Sequence, residues 1–408
     1  MEFAKKHVLI AGSIFLLLVG LVLAIRQLYI MFAVLALLAP VSWYLSRGTL
    51  SALSVRREAP GLMKEGQQRR VRLTVANEGV RRRYFFTVRD RLPDGLEAIG
   101  EGSTLVPSLA ADEQFTVEYA LRARRRGVYE VGPALMEHSD LIGMYRFRRE
   151  AGEPDELVVH PSPERIPPVW DRAMSLRAPQ QPRRRFRDEG TEFYGTRPFV
   201  AGDDLRRVDW KATARRGQLI VRQYERAEAI DATMILDLQR AHHRGEGADA
   251  TVERAVKLAA SVAAQLLERG SSVGLVAAGG QDCSVPPSAD PRQRVRLFDA
   301  LARARADGRQ SVAEVIAEHL PYLPAGGMVI IISPRLDGEP LRVVTGLRDR
   351  GYIVSWMVVE VPGDARLRAD RTQPRELAAR LADRGADTWL LESSGELAVA
   401  MRRVGRGG

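Results

Sequence analysis

Residues 192–222 read EFYGTRPFVAGDDLRRVDWKATARRGQLIVR. Arg197, Asp203, Asp204, Arg206, Arg207, Asp209, Lys211, Arg215 and Arg216 are set among the apolar Phe193, Phe199, Trp210, Leu219 and Val221. A solvated loop needs no such interleaving, and a partly buried charge is costly unless it is paired. The segment is therefore expected to be an ordered charge network laid on a scaffold. Asp203, Asp204 and Asp209 are also the acids on hand for metal binding or proton transfer. Arg197, Arg206, Arg207 and Lys211 lie among them, however, and would pair with them and hold them ionised, which favours structure over catalysis.

C-terminal to this segment the hydrophobic period is helical and strand-like by turns. Strands are expected at 233–236, 273–277, 329–332, 353–359 and 388–391, and helices at 249–270, 291–306, 311–320, 341–350 and 375–384. The 329–332 strand, Val-Ile-Ile-Ile, is β-branched throughout, as in a sheet covered on both faces. Alternation of this kind implies a doubly wound, mainly parallel α/β sheet over 229–408.

N-terminal to the segment, residues 161–190 are rich in proline and arginine and read as a stiff connector. Arg183, Arg184, Arg185 and Arg187 would either touch anionic lipid or stand as a solvated basic loop. Residues 50–160 alternate with period two: Val71, Leu73, Val75; Tyr84, Phe86, Val88; Phe115, Val117, Tyr119, Leu121. The turns Asn77-Glu78-Gly79 and Leu92-Pro93-Asp94-Gly95 punctuate them, so a small β-sandwich is expected.

Further back, one uncharged apolar run opens at Val8 and closes at Ile25, and a second runs from Leu28 to Leu45. Each would span about 27 Å as a helix, close to the roughly 30 Å hydrocarbon core. With Arg26 and Gln27 alone between them, a transmembrane hairpin over 8–45 is expected. A cleaved signal peptide is the alternative for the first run, but its length and the immediate second run argue against it. Lys5 and Lys6 at one end, and Arg47, Arg56 and Arg57 at the other, place both termini in the cytoplasm by the positive-inside rule. The expected location is the plasma membrane, crossed twice.

The net charge of +10 favours an anionic partner, and only 6% of residues are aromatic. With a membrane anchor in view and no RNP pair, zinc-finger spacing or basic recognition helix, lipid is the expected partner and nucleic acid is not. A single cysteine, Cys283, rules out an internal disulfide framework. The adjacent His242 and His243 rarely converge on one ion. The Gly279-Gly280 and Gly326-Gly327 pairs lack a phosphate-loop lysine and read as turns. No Ser-His-Asp or Cys-His arrangement stands out, so no enzyme is expected.

The pattern Gly195-Thr196-Arg197-Pro198-Phe199, Gly202-Asp203-Asp204, Arg206, Asp209-Trp210-Lys211, Ala214-Arg215 and Leu219-Ile220-Val221-Arg222 resembles the signature of the domain-of-unknown-function 58 family. A weaker echo is Arg126-Gly127-Val128-Tyr129 followed by Ser139-Asp140-Leu141-Ile142-Gly143. The resemblance implies a membrane hairpin (8–45), a β domain (50–160), a connector (161–190), the signature (191–225) and a von Willebrand factor A-like domain (229–408). It also implies a partner, a MoxR-type ATPase of the AAA+ class in an envelope-related process. Such domains often carry a magnesium-dependent adhesion site, Asp-x-Ser-x-Ser after the first strand. Here Asp237 holds the aspartate position, while Gln239 and Ala241 stand at the serines. Ser333-Pro334 replaces a frequent Ser-Asp. Asp237, Gln239 and Ser333 are therefore a degenerate ligand set, and no cofactor is expected, magnesium being the one candidate. The leading expectation is a non-enzymatic membrane scaffold. The alternative is a membrane-bound metal-dependent hydrolase using Asp237 with Asp203, Asp204 or Asp209. The sequence specifies no oligomeric state.

Overall fold

The structure is a computed structural model that describes residues 2–100, 102–140, 142–169, 192–199, 205, 208–225, 231–280, 283–360 and 372–405. Gly202, Asp203, Asp204 and Arg206 lie outside the described residues, as do the connector arginines 183–187 and the side chain of Arg222. The chain divides into two units, Met1–Pro161 and Ser162–Gly408.

The first unit opens with two helices, Glu2–Leu23 (α1) and Arg26–Ser46 (α2). The chain reverses at Ala24, whose φ of 53° is left-handed, and the Leu28 amide donates to the Ile25 carbonyl. The turn thus falls two residues before the Arg26-Gln27 turn expected, and Arg26 opens α2 instead. Glycines let the two helices approach: a Cβ on Gly20 would sit 3.2 Å from Leu28 Cβ, and one on Gly12 3.7 Å from Leu35 Cδ2. α2 is long and apolar enough to cross a membrane, whereas the apolar part of α1, His7–Leu23, is shorter. At about 1.5 Å per residue α2 reaches about 31 Å, the thickness of a hydrocarbon core.

A sheet-rich domain follows: Leu53–Glu58 (β1), Leu62–Lys64 (β2), Gln68–Asn77 (β3), Arg83–Asp90 (β4), Leu96–Ile99 (β5), Ser103–Leu109 (β6), Gln114–Ala123 (β7), Gly127–Val131 (β8), Ala134–Ser139 (β9), Arg146–Ala151 (β10) and Asp155–His160 (β11). They form two four-stranded sheets, in the orders β1-β3-β7-β5 and β10-β9-β4-β6, and a three-stranded sheet, β2-β11-β8. The period-two pattern explains the core. Val71, Leu73, Val75, Val117, Tyr119 and Leu121 from the first sheet meet Phe86, Val88, Val106 and Met136 from the second. Tyr84 breaks the expected alternation and is 51% exposed, because Phe85 adopts φ 49° and turns the strand.

Arg57, counted above among the membrane-flanking cations, is in fact spent inside this domain. Its guanidinium grips Asp90 through Nη2–Oδ1 (2.6 Å) and Nε–Oδ2 (2.8 Å), and donates to the Val131 carbonyl and to Asp155. The Tyr119 hydroxyl donates to the same Asp90 at 2.7 Å. Arg57 and Asp90 side chains are each 3% exposed. Burial draws the Arg57 pKa down, and the Asp90 and Asp155 carboxylates outweigh it, so the group stays charged. Burial and the Asp90 charge push the Tyr119 phenol up.

In the second unit, Glu192–Pro198 (β12) pairs antiparallel with Ile220–Glu225 (β13), and the short helix Trp210–Arg216 (α3) lies between them in sequence. The main body runs Asp231–Leu236 (β14), Thr251–Glu268 (α4), Ser272–Val276 (β15), Val285–Ser288 (β16), Gln293–Arg303 (α5), Val312–His319 (α6), Met328–Ser333 (β17), Glu339–Asp349 (α7), Ile353–Val359 (β18), Thr372–Asp383 (α8), Asp387–Leu391 (β19), Leu397–Ala400 (α9) and Met401–Val404 (β20). They build one seven-stranded sheet in the order β16-β15-β14-β17-β18-β19-β20. Strands β15, β14, β17, β18 and β19 are parallel, and both edges are antiparallel. Residues alternating along each strand feed two cores. Met234, Leu236, Ile330 and Met357 pack with α4 and α5, while Ile235, Ile331, Trp356 and Val358 pack with α6, α7 and α8. Residues 162–169, part of the expected connector, lie on the first of these cores through Ile166 and Val169. Glu164 pins them, accepting from Lys257 Nζ at 3.0 Å and the Leu397 amide at 2.8 Å.

Candidate functional site

The chain leaves β14 toward β15, then returns to add β17 on the other side of β14. The crevice at the carboxyl ends of β14 and β17 is therefore the topological switch point of the sheet, where open α/β folds bind ligands. Two of the expected residues meet there. Asp237 follows β14 and is 3% exposed, and Ser333 ends β17 and is fully buried. The Ser333 hydroxyl donates to Asp237 Oδ2 at 2.6 Å, and the Gln239 amide N–H donates to Oδ1 at 2.9 Å. The Ser333 oxygen in turn accepts from the Arg335 amide at 3.1 Å. Asp237 thus braces the two strand ends, and its own amide donates to the Ile332 carbonyl.

Gln239 is held elsewhere. Its Nε2 donates to the Arg309 carbonyl at 3.2 Å, and its Oε1, the atom a cation would need, faces Arg335 Nη1 at 3.4 Å. Arg335 is the built-in cation of this crevice, bonded to Asp337 at 2.7 Å and to Glu339 at 2.7 Å. Burial would raise the Asp337 carboxyl, but the Glu339 amide and the Arg335 guanidinium hold it below its usual range. Glu339 also accepts from the Ala313 amide, tying α6 to the start of α7. Among the described residues no group of three His, Cys, Asp or Glu could hold a metal ion.

Of the two adjacent histidines, His243 is buried. Its Nε2–H donates to the Asp237 carbonyl at 2.8 Å, which leaves Nδ1 buried without a partner. Burial pulls its pKa down, so the ring is neutral in the fold.

In the signature segment, Asp209 is the N-cap of α3, its carboxylate accepting from the Ala212 amide at 3.0 Å. Gly217 closes that helix in the left-handed region, at φ 67°. Thr213 Oγ1 accepts from the Ile220 amide. Arg197 Nη1 donates to the Pro198 carbonyl, and Lys211, Arg215 and Arg216 are exposed. Trp210 and Leu219, read from the sequence as anchors, are 66% and 39% exposed, while Val221, also read as one, is buried together with Val208 and Ile220. A seven-residue helix facing solvent on Trp210 cannot bury it, which the alternation of charge with aromatics does not reveal.

Arg335 and Glu339 escaped the sequence reading, and His243, weighed there only as a metal ligand in a polar loop, is buried instead. The signal for the first two was present: Arg335, Asp337 and Glu339 alternate charge immediately before a helix opening on Glu339-Pro340.

Two solved structures share limited likeness with the chain. The CARDB domain of the PF1109 protein from Pyrococcus furiosus is 16% identical, covering 26% of this chain and 86% of that one, at a TM-score of 0.19. Native alpha-2-macroglobulin from Escherichia coli, from domain MG7 to the C-terminus, is 20% identical, covering 27% of this chain and 16% of that one, at 0.23. TM-scores of this size bear on neither fold nor function. "Uncharacterized protein YeaD" of Bacillus subtilis (strain 168) is 20% identical over 251 residues, 58% of this chain and 58% of its own length, so the match spans less than two thirds of that relative. Residues 195–369, from the signature through β18, match the family described as "Protein of unknown function DUF58".

Proposed function

We propose that this protein is a membrane-anchored scaffold whose C-terminal unit, a von Willebrand factor A-like domain, faces the cytoplasm and docks a MoxR-type AAA+ ATPase in an envelope-related process. The observation that carries the reading is α2, a helix with no charge between Gln27 and Ser46 and with the length of a hydrocarbon core. Its partner α1 is read as the other arm of a transmembrane hairpin with both termini cytoplasmic. Ser13, a polar residue in that arm, returns its hydroxyl to the Leu9 carbonyl, as lipid burial requires. The A-like reading is supported by the strand order and by Asp237 at the end of the first strand. The partner rests on likeness to the family alone. Tethering to a membrane raises the effective concentration of two anchored or surface-bound partners and lets a weak interface suffice.

Among the described residues no observation favours a metal-dependent hydrolase. Asp209 caps a helix, and the Asp237 oxygens accept from Ser333 and Gln239. Crosslinking in native membranes followed by affinity capture tests the scaffold. The expected result is recovery of an AAA+ ATPase with the wild-type chain. Repeated captures that return none would overturn it.

A further inference from the structure

The sheet-rich domain has one pole against the end of α2, and the strand pairings identify what lies there. Leu53 pairs with Asn77, Ala76 with Gln114, Arg83 with Leu109, and Ser139 with Arg146. The turns β3–β4, β6–β7 and β9–β10 therefore gather at the same pole as the start of β1. Side chains and backbone fasten this pole to the chain leaving α2. Asp140 accepts from Ser42 on α2, Arg83 donates to the Gly48 carbonyl, and the Glu78 amide donates to the Ala52 carbonyl at 2.9 Å.

This end of α2 has the composition of a membrane–water interface. Trp43 and Tyr44 are both exposed, and the Arg47 guanidinium lies 4.9 Å and 4.6 Å from their ring centroids. Aromatic residues with a neighbouring cation mark the headgroup level of a spanning helix. The β3–β4 turn sits beside that level and reads Gly79-Val80-Arg81-Arg82-Arg83-Tyr84-Phe85. Val80 is 94% exposed at its tip. Arg81 and Arg82 are exposed just before β4, and Tyr84 and Phe85 are 51% and 52% exposed. The strained backbone at Phe85 is what holds two successive aromatics outward, and the Phe85 carbonyl is fixed by His138 Nδ1 at 2.9 Å. A soluble domain gains nothing from a bared valine followed by arginines and then by two outward aromatics.

We infer that the β3–β4 turn is a second membrane contact. Val80 enters the headgroup layer of the leaflet from which α2 emerges, Arg81 and Arg82 bind anionic lipid phosphates, and Tyr84 and Phe85 lie at the interface. The occupant is an anionic phospholipid surface, as the two free-standing guanidiniums and the adjoining helix end require. Acidic groups share the pole: Glu78 is exposed at the start of this same turn, Asp112 and Glu113 are exposed on the β6–β7 turn, and Glu113 folds back onto the Ala110 amide. They confine the contact to Val80 and the residues that follow it, away from Glu78 and the β6–β7 turn. The consequence is mechanical. With α2 and this turn both at the surface, the lipid contact reinforces the bonds to Ser42, Gly48 and Ala52 that hold the sheet-rich domain against the end of α2.

This inference rests on α2 being a membrane anchor, and the test separates the two. The full chain carrying Val80→Cys and Cys283→Ala is labelled with an environment-sensitive fluorophore and reconstituted into phosphatidylcholine vesicles, with or without phosphatidylglycerol. On the anionic vesicles the emission is expected to shift to the blue, and quenching by aqueous iodide to fall several-fold. Adding Arg81→Glu and Arg82→Glu restores the aqueous signal without releasing the protein. A chain that floats with anionic vesicles while its label stays water-exposed overturns the second contact and leaves the anchor standing. A chain that does not float with any vesicle overturns both.

Discussion

Arg57 shows what single side chains decide here. Its guanidinium is buried against Asp90 and reaches β4, β8 and β11 from β1, so removing it strands a carboxylate in the core. Arg57→Met is expected to destabilise the sheet-rich domain by about 3–5 kcal/mol, since breaking one half of a buried pair leaves the other uncompensated. Urea unfolding followed by near-ultraviolet circular dichroism measures this, and a change under about 1 kcal/mol would show the pair to be dispensable. At the switch point, Ser333→Ala removes one of the bonds to Asp237 and is expected to cost about 1–3 kcal/mol. Magnesium is expected to leave the melting temperature of the wild type unchanged, and a magnesium-dependent rise lost in Asp237→Ala would restore the case for a metal. His243 adds a pH dependence whose sign is fixed. The unfolded ring protonates near about pH 6.5 and the folded ring only lower, so the unfolded state binds more protons as pH falls through that window. Stability is therefore present above about pH 6.5 and declines below it. His243→Gln should flatten the melting temperature between about pH 7.5 and 5.5, and an unaltered slope would assign it to other groups. Asp237 and Ser333 were singled out through the family resemblance, at positions just after two expected strands, and the structure brings them together. Arg57 was not legible, because an arginine near a helix end reads as a membrane flank until β1 pairs it into the core.

At the scale of elements, the α/β unit follows its sequence closely. Its helices have one apolar stripe and its central strands are apolar on both faces, so period and length alone locate them. The edges are less visible. β16 and β20 are four residues each, and β16 contains Pro286 and Pro287, which a sequence reader takes for a loop. In the sheet-rich domain the weaker of the two sequence patterns falls on turn chemistry. Asp140 Oδ1 accepts from the Met144 and Tyr145 amides, and the Tyr129 hydroxyl donates to the Arg125 and Arg126 carbonyls. The signature helix α3 is the element most easily loosened, since it is short and buries none of its residues. Asp209→Ala should cost about 1 kcal/mol through loss of the cap, and Gly217→Ala a similar amount through a left-handed backbone. Limited proteolysis would register either as faster cleavage between β12 and β13, and unchanged cleavage would mean that the helix is held by something other than its ends.

For the whole molecule, the presence of an apolar N-terminal segment was readable from composition, whereas the boundary between the units after Pro161 lies well before residue 229, where the hydrophobic period changes. What the period could not convey is that the reversal falls at Ala24 rather than Arg26, because a left-handed alanine leaves no compositional mark. The central claim is that α2 fastens the protein into a bilayer. Leu37 lies midway along α2 and is 60% exposed, so Leu37→Arg places a charge at the depth where insertion is disfavoured by about 2.5–3.5 kcal/mol. The direct measurement is alkaline carbonate extraction of native membranes containing either chain. The account predicts that the wild-type protein stays with the lipid pellet and that the Leu37→Arg protein moves toward the supernatant. Wild-type protein recovered in the supernatant, with residues 26–46 intact, would contradict it.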